Sequence, residues 1–390
     1  MNFIFHPPAA SASFWPALAL FALLGANAVV AGEPAPNAAF TDLTKASGVE
    51  QAVADHYAKV PKWWLSGMDL VDLDGDGHLD LVLGAHGQEG VLALNDGLGH
   101  FTTAPATGLS LTEIHVACDV NEDGKLDLQL THSDGEGRWF LNESKAGSLS
   151  FQALPPAPGQ ARENAMIDLD RDGLVDWIHE QGSGLAVEFG DGHGAFPRKT
   201  TLPGLKETSA LPVDLNGDGA IDLVLKQCGY HAEKAGQSRL LLNDGKMNFA
   251  NATTAAGLVE EGLVIQGVGD VNQDGSLDLI CLEHGKSVEI YLNDGAGHFT
   301  RRPDAVAGLQ QAQQPTYANW GLAVVTDFDN DGVADILMDG RNFLYVLRGT
   351  GGGHFTYMNR AWGITDHSTA LPISRSRGIG LCLGSVSSVN

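Results

Sequence analysis

A nine-residue phrase, Asp-x-(Asp/Asn)-x-Asp-Gly-x-x-Asp, occurs six times in this chain of 390 residues and constrains its fold more than any other feature. The copies start at Asp72, Asp119, Asp168, Asp214, Asp270 and Asp327, between 46 and 57 residues apart. Recurrence at such a period marks a repeat architecture, in which each unit is one small supersecondary structure stacked on its neighbours.

The phrase reads as a cation loop. Carboxylates or amides at positions 1, 3 and 5 of a tight loop converge on one point, and the glycine at position 6 permits the turn. The residue at position 7 offers its backbone carbonyl. A hard cation such as Ca²⁺ takes six to eight oxygens arranged in this way. The expected ligand sets are Asp72, Asp74, Asp76, His78 and Asp80; Asp119, Asn121, Asp123, Lys125 and Asp127; and Asp168, Asp170, Asp172, Leu174 and Asp176. The later loops give Asp214, Asn216, Asp218, Ala220 and Asp222; Asp270, Asn272, Asp274, Ser276 and Asp278; and Asp327, Asp329, Asp331, Val333 and Asp335. An EF-hand would end on a bidentate Glu at position 12. That position holds Leu83, Leu130, His179, Leu225, Cys281 and Met338, so the closing ligand is the Asp at position 9. A single copy is equally well read as a polar Asx-turn without an ion. Six copies that keep the oxygens and the glycine favour up to six structural Ca²⁺ ions.

Each loop runs into a short apolar stretch such as Leu81-Val-Leu-Gly or Leu223-Val-Leu-Lys, which reads as a strand and not as the amphipathic helix of an EF-hand. A second phrase, Asn-Asp-Gly-x-Gly-x-Phe, follows at Asn95 and Asn293, with variants at Gly190, Asn243 and Gly349 and a degenerate copy over 142–151. Asn-Asp-Gly between apolar runs is a hairpin signal. A third phrase opens at Phe40 and recurs from Phe101, Phe196, Phe249, Phe299 and Phe355. A unit of about 50 residues then holds four short antiparallel strands and leaves no room for a helix, which is the plan of a propeller blade.

The aspartate loop together with the Asn-Asp-Gly turn resembles the FG-GAP/VCBS repeat of integrin-α-type β-propellers. The Phe-Thr-Asp-x-Thr phrase and Trp320-Gly321 are similar to secreted proteins of the cartilage-acidic-protein type. The resemblance spans residues 40 to about 384 and implies an all-β propeller serving adhesion, ligand binding or scaffolding. Fold alone does not choose among these roles. The spacing predicts a seven-bladed plan with six complete blades and a truncated seventh. The seventh opens at Arg377–Gly384, after which Ser385, Ser387 and Val389 stand where acidic ligands would be. The strand near 378–383 is expected to pair with residues 40–50, and the incomplete blade to promote self-association through its open edge. The C-terminal ASPIC/UnbV-type domain that often accompanies this resemblance has no counterpart in the sequence.

Charge and composition narrow the function. The formal charge of −25 comes largely from the 21 loop aspartates, and six Ca²⁺ would bring it to −13. No basic stripe supports nucleic-acid binding. Residues 1–31 read as a signal peptide: Phe14–Leu24 is apolar, and small residues at Ala28 and Ala31 suit cleavage, although His6 replaces the usual basic residues. The run is short for a membrane span. Residues 32–39 form a linker, and 40–390 the propeller. A secreted protein meets enough calcium to fill such loops.

The four cysteines, Cys118, Cys228, Cys281 and Cys382, match no zinc spacing. Cys118, Cys281 and Cys382 read as buried thiols, and Cys228 as the exposed one. His78, His100, His298 and His354 fall at variable turn positions and read as surface residues. Trp63, Trp64, Trp320 and the repeated Phe residues read as packing between units. No nucleophile–base motif or phosphate-binding glycine loop occurs. The expectation is a non-enzymatic module that binds an extracellular protein or glycan, as in cell adhesion. The competing readings are a polysaccharide-degrading propeller enzyme and a truncated, non-functional fragment. Two insertions, within Lys226–Arg239 and Val306–Asn319, are the expected places for a partner.

Overall fold

The computed structural model describes residues 19–20, 43–59, 65–85, 90–107, 113–131, 137–155, 165–181, 184–202, 208–227, 238–259, 262–283, 287–309, 323–340, 343–359, 361–362 and 383–384. Most of the leader and linker, Phe40, Trp63, Trp64, Trp320, Cys228, Cys382 and the bulk of both insertions lie outside them. The chain divides into two compact units. One comprises Met1–Ala28, Thr41–Lys206 and Ala370–Asn390, the other Val29–Phe40 and Glu207–Thr369.

The first unit carries three antiparallel blades. Blade 1 is formed by Leu65–Val71, Asp80–Ala85, Val91–Asn95 and Phe101–Thr103, in that order. Blade 2 uses Glu113–Cys118, Asp127–Thr131, Gly137–Asn142 and Leu149–Ala153; blade 3 uses Ala165–Ile167, Asp176–Gln181, Gly184–Phe189 and Arg198–Leu202. The second unit repeats the plan. Blade 4 runs through Thr208–Val213, Asp222–Gln227, Ser238–Asn243 and Phe249–Asn251, and blade 5 through Leu263–Gly269, Asp278–Glu283, Ser287–Asn293 and Phe299–Arg302. Blade 6 comprises Ala323–Thr326, Asp335–Gly340, Phe343–Gly351 and His354–Tyr357. Every aspartate loop joins a blade's first strand to its second, and every Asn-Asp-Gly-type turn joins the third to the fourth.

The Phe phrase therefore has two jobs. Its Phe opens or precedes the fourth strand of one blade, and its tail runs on to the next. Ala106–Thr107 pairs in parallel with the fourth strand of blade 2, and Val306–Ala307 does the same in blade 6. Phe101, Phe299 and Phe355 are buried as expected, whereas Phe196 and Phe249 are only half-buried. Apolar residues from adjacent blades share each core. Val71, Leu73 and Val82 of blade 1 pack with Leu128, Phe140 and Phe151 of blade 2, and Val264, Ile280 and Ile290 of blade 5 with Ile336, Tyr345 and Phe355 of blade 6. Each fully buried large apolar side chain contributes about 1.5–3 kcal/mol. Cys118 and Cys281 are buried between blades, as expected, and burial raises the Cys118 thiol to about 12.

Two expectations are corrected. The chain does contain a helix, Val49–Lys59, whose Val49, Ala52, Val53 and Tyr57 recur at helical spacing and pack on Leu81, Leu83, Val91 and Phe101 of blade 1. Glu50 in its first turn and Lys59 in its last suit the helix dipole. The unit length that leaves no room for a helix applies from one aspartate loop to the next, and this helix precedes the first strand of blade 1. The second correction concerns the end of the chain. Residues 43–48 form turns leading into the helix, so they offer no strand to residues 378–383; Leu383–Gly384 pairs instead with Ala19–Leu20. A truncated seventh blade is not among the described elements.

Candidate metal centres

All six aspartate loops share one hydrogen-bond scheme. The carboxylate at position 1 accepts the N–H of the position-6 glycine: Gly77 to Asp72, Gly124 to Asp119, Gly173 to Asp168, Gly219 to Asp214, Gly275 to Asp270 and Gly332 to Asp327, at 2.8–3.0 Å. The side chain at position 3 accepts the N–H of position 5, and the carboxylate at position 5 accepts the N–H of position 7, as with Asp170, Asp172 and Leu174. The position-7 residues His78, Lys125, Leu174, Ala220, Ser276 and Val333 all donate in this way. These bonds aim the carboxylates into the loop while leaving oxygen lone pairs unspent.

The aspartate at position 9 does more. One oxygen of Asp80 accepts the N–H of Leu73 and the other that of Asn95, at 2.9 Å each. Asp127, Asp176, Asp222, Asp278 and Asp335 repeat the pair of bonds with the corresponding backbone groups. Each position-9 side chain thus ties its loop to the turn between the third and fourth strands. All six are buried, and burial pushes Asp80, Asp127, Asp176 and Asp278 up to about 6, with Asp222 and Asp335 raised in the same direction. The backbone donors oppose that shift, and the neighbouring loop carboxylates add to it.

Where position 3 is Asp, oxygens of positions 1, 3 and 9 lie within 4.8 Å of one another: Asp72, Asp74 and Asp80; Asp168, Asp170 and Asp176; and Asp327, Asp329 and Asp335. Where it is Asn, the amide donates to the position-5 carboxylate, as Asn121 does to Asp123, Asn216 to Asp218 and Asn272 to Asp274. The donor set fits Ca²⁺: it is oxygen throughout, anionic, and held by backbone amides. Asp168 Oδ1 adds a direct sign, being buried with no hydrogen-bond partner. An unpaired buried carboxylate oxygen is costly unless a cation satisfies it. A bound Ca²⁺ would supply positive charge to offset carboxylate repulsion at positions 1, 3, 5 and 9.

Two features of the loops escaped sequence reasoning. Position 4 is left-handed in every copy, with φ between 57° and 75° at Gly75, Glu122, Arg171, Gly217, Gln273 and Asn330. Gly at two of the six copies and Asn330 at a third were the only hints. The other concerns the turn after the third strand. In blades 1, 2, 4 and 5 its first residue is Asn95, Asn142, Asn243 or Asn293, whose amide donates to the carbonyl at position 8 of the loop. Blades 3 and 6 have Gly190 and Gly349 there, because a Cβ would stand 2.2 Å from the Val175 or Ala334 carbonyl oxygen. Asn142 and Asn293 also reach the preceding blade, donating to the Leu73 and Leu215 carbonyls.

The histidines behave as turn residues. His100 and His298 are exposed and pair with Asp96 and Asp294, while His354 accepts from Arg302. His179 differs: it is buried, stacked on Trp177 and bonded to Glu188.

Six sheets of the blade type, each with an aspartate loop between its first and second strands, define an all-β propeller with six blades. A family profile described as FG-GAP-like repeat matches residues 72–128, 119–179 and 270–338, covering the loops of blades 1, 2, 3, 5 and 6. The chain thus carries FG-GAP-like repeats within a six-bladed propeller. Among solved structures it is similar to an Agrocybe aegerita lectin, described as recognising non-reducing terminal N-acetylglucosamine, at 21% identity and a TM-score of 0.51 over 75% of this chain and 79% of the lectin. AofleA from Arthrobotrys oligospora aligns at 11% identity and a TM-score of 0.40, over 75% of this chain and 86% of that one. The lectin shares the fold. A search of curated proteins finds no match.

Proposed function

We propose that this chain is an exported binding module whose blades are stiffened by Ca²⁺, and that its ligand is a glycan. The observation that carries the reading is the sixfold loop scheme, in which backbone amides fix hard anionic oxygens around one point in each blade. The loops act as structural clamps and not as catalysts. Their position-9 carboxylates are buried and committed on both oxygens to backbone N–H groups, which leaves them poorly placed to exchange protons with a substrate. The FG-GAP repeats and the lectin's fold support a binding role, and the lectin's sugar ligand supports a glycan. Export rests on the apolar run Phe14–Leu24 and the small residues after it. An extracellular protein is the second ligand class, favoured by the resemblance to adhesion propellers.

Calorimetric titration of the chelator-treated protein with CaCl₂ tests the metal, and a glycan array probed with the calcium-loaded protein tests the ligand. Several sites per chain and a calcium-dependent rise in melting temperature are expected, with Asp74→Ala plus Asp76→Ala removing one site. The control Asp96→Ala leaves the stoichiometry unchanged. The absence of both titration heat and a thermal shift would overturn the calcium reading. An array without signal, beside binding to immobilised matrix proteins, would replace glycan by protein.

A further inference from the structure

The six loops are not equivalent, and the difference lies in what meets the oxygens that the backbone leaves over. In blade 3, Arg198 Nη2 donates to Asp170 Oδ2 at 2.9 Å and lies 3.4 Å from Asp172 Oδ2. Those are the oxygens of positions 3 and 5 not taken by loop N–H groups, since the Oδ1 atoms accept from Asp172 and Leu174. Blade 6 repeats the arrangement from another place in the chain. Arg348, within the third strand, bonds Asp329 Oδ2 through Nε and Asp331 Oδ2 through Nη2. Arg198 instead comes from the fourth strand, so the two guanidiniums reach the same two oxygens by different routes.

In the other loops the described partners of these oxygens are neutral. They are the amides of Asn121, Asn216 and Asn272, and in blade 1 the Gly147 N–H at 2.6 Å from Asp74 Oδ2. The arginine pair also coincides with the two blades whose turn opens on Gly190 or Gly349 in place of Asn. One such blade stands third in each unit. Position 3 is Asp in both, so each of these loops holds four carboxylates and one guanidinium.

We propose that Arg198 and Arg348 are built-in counter-cations that occupy cation-ligand oxygens of the third and sixth loops, so that these loops keep their shape without metal and bind Ca²⁺ more weakly than the others. The proposal rests on the calcium reading of the loops. A guanidinium is permanently charged and its fork matches paired carboxylates, so it neutralises the repulsion that a divalent ion otherwise relieves. Ca²⁺ entry then requires the arginine to leave. Both side chains are able to, being 58% and 38% exposed. The chain thus carries two classes of site: four open loops and two gated by arginine.

The test compares the full chain with Arg198→Ala, Arg348→Ala, the double variant and a control, Arg301→Ala, whose guanidinium bonds Glu289 away from any loop. Titration of the metal-free wild type with CaCl₂ is expected to resolve a tighter and a weaker class. Each loop variant is expected to tighten one weak site about fivefold, the strength of one exposed ion pair. In chelator the same variants are expected to melt lower than wild type, while at saturating CaCl₂ the difference disappears; the control does neither. Loop variants whose calcium isotherm and metal-free melting both match wild type would overturn the proposal. A lowered metal-free melting temperature with no calcium heat in any variant would instead overturn the calcium reading, and with it the competition, leaving plain ion pairs.

Discussion

Position 4 of the loops shows how one dihedral angle sets a residue's cost. Arg171 and Gln273 hold φ of 63° and 62°, a region that crowds the Cβ of an L-residue by about 1–2 kcal/mol. Gly75 and Gly217 adopt the same angle without that contact. Arg171→Gly is therefore expected to stabilise the protein by about 1 kcal/mol in denaturant unfolding, against the usual loss when glycine enters a chain. At position 9 the relevant quantity is protonation. The carboxyls of Asp80, Asp127, Asp176 and Asp278 ionise near 6 in the fold and near 3.8 when unfolded. Between those values the folded state holds more protons, so the stability of the metal-free protein falls as pH rises through that window. Calorimetry in chelator is expected to give a higher melting temperature at about pH 5 than at about pH 7. Calcium, which favours the ionised form, is expected to stabilise most above about pH 6.

Within a blade, the loop, the second strand and the late turn act as one element because a single aspartate bonds two of them. Asp278→Ala would leave the buried N–H groups of Val271 and Asn293 without acceptors. Each unmade bond costs about 1–3 kcal/mol, so a loss of about 2–6 kcal/mol is expected in equilibrium unfolding. Asp278→Asn keeps one acceptor oxygen and is expected to lose less. The turn asparagines extend the connection to the preceding blade. Asn293 donates to the Leu277 carbonyl of its own loop and the Leu215 carbonyl of the loop before. Asn293→Ala is expected to lower the melting temperature and to raise amide exchange in the blade 4 loop as well as in blade 5. Exchange confined to blade 5 would show that the bond to Leu215 carries no coupling.

For the molecule as a whole, charge is the dominant variable. A formal charge of −25, most of it gathered in the loops, opposes the compact state when metal is absent. Each Ca²⁺ bound at 100 times its Kd adds about 2.7 kcal/mol to the folded state. Chelation is therefore expected to lower the melting temperature markedly. Added NaCl is expected to recover part of the loss by screening, with less effect on the calcium-loaded protein. A metal-free melting temperature that does not respond to salt would show that loop repulsion is already neutralised within the chain.

Much of this protein was legible from its sequence because the repeat is dense in signals that act locally. The spacing of Asp72, Asp74, Asp76 and Asp80 dictates a tight loop with converging oxygens, and Asn95-Asp-Gly dictates a hairpin; each needs only its neighbours in the chain. Sixfold repetition predicted the six complete blades, whereas the truncated seventh that the spacing also suggested is not among the described elements. The helix Val49–Lys59 was not visible, since its apolar face has meaning only against Leu81, Leu83 and Val91, which lie some 30 residues further on. Nor was the second role of the position-9 aspartate, whose bond to the late turn spans 14 to 21 residues. The arginines were hidden for the same reason. Arg198 lies 28 residues from Asp170 and Arg348 19 from Asp329, on different strands of their blades. Local sequence determines where charge gathers; only the packed sheet decides which distant side chain is brought to meet it.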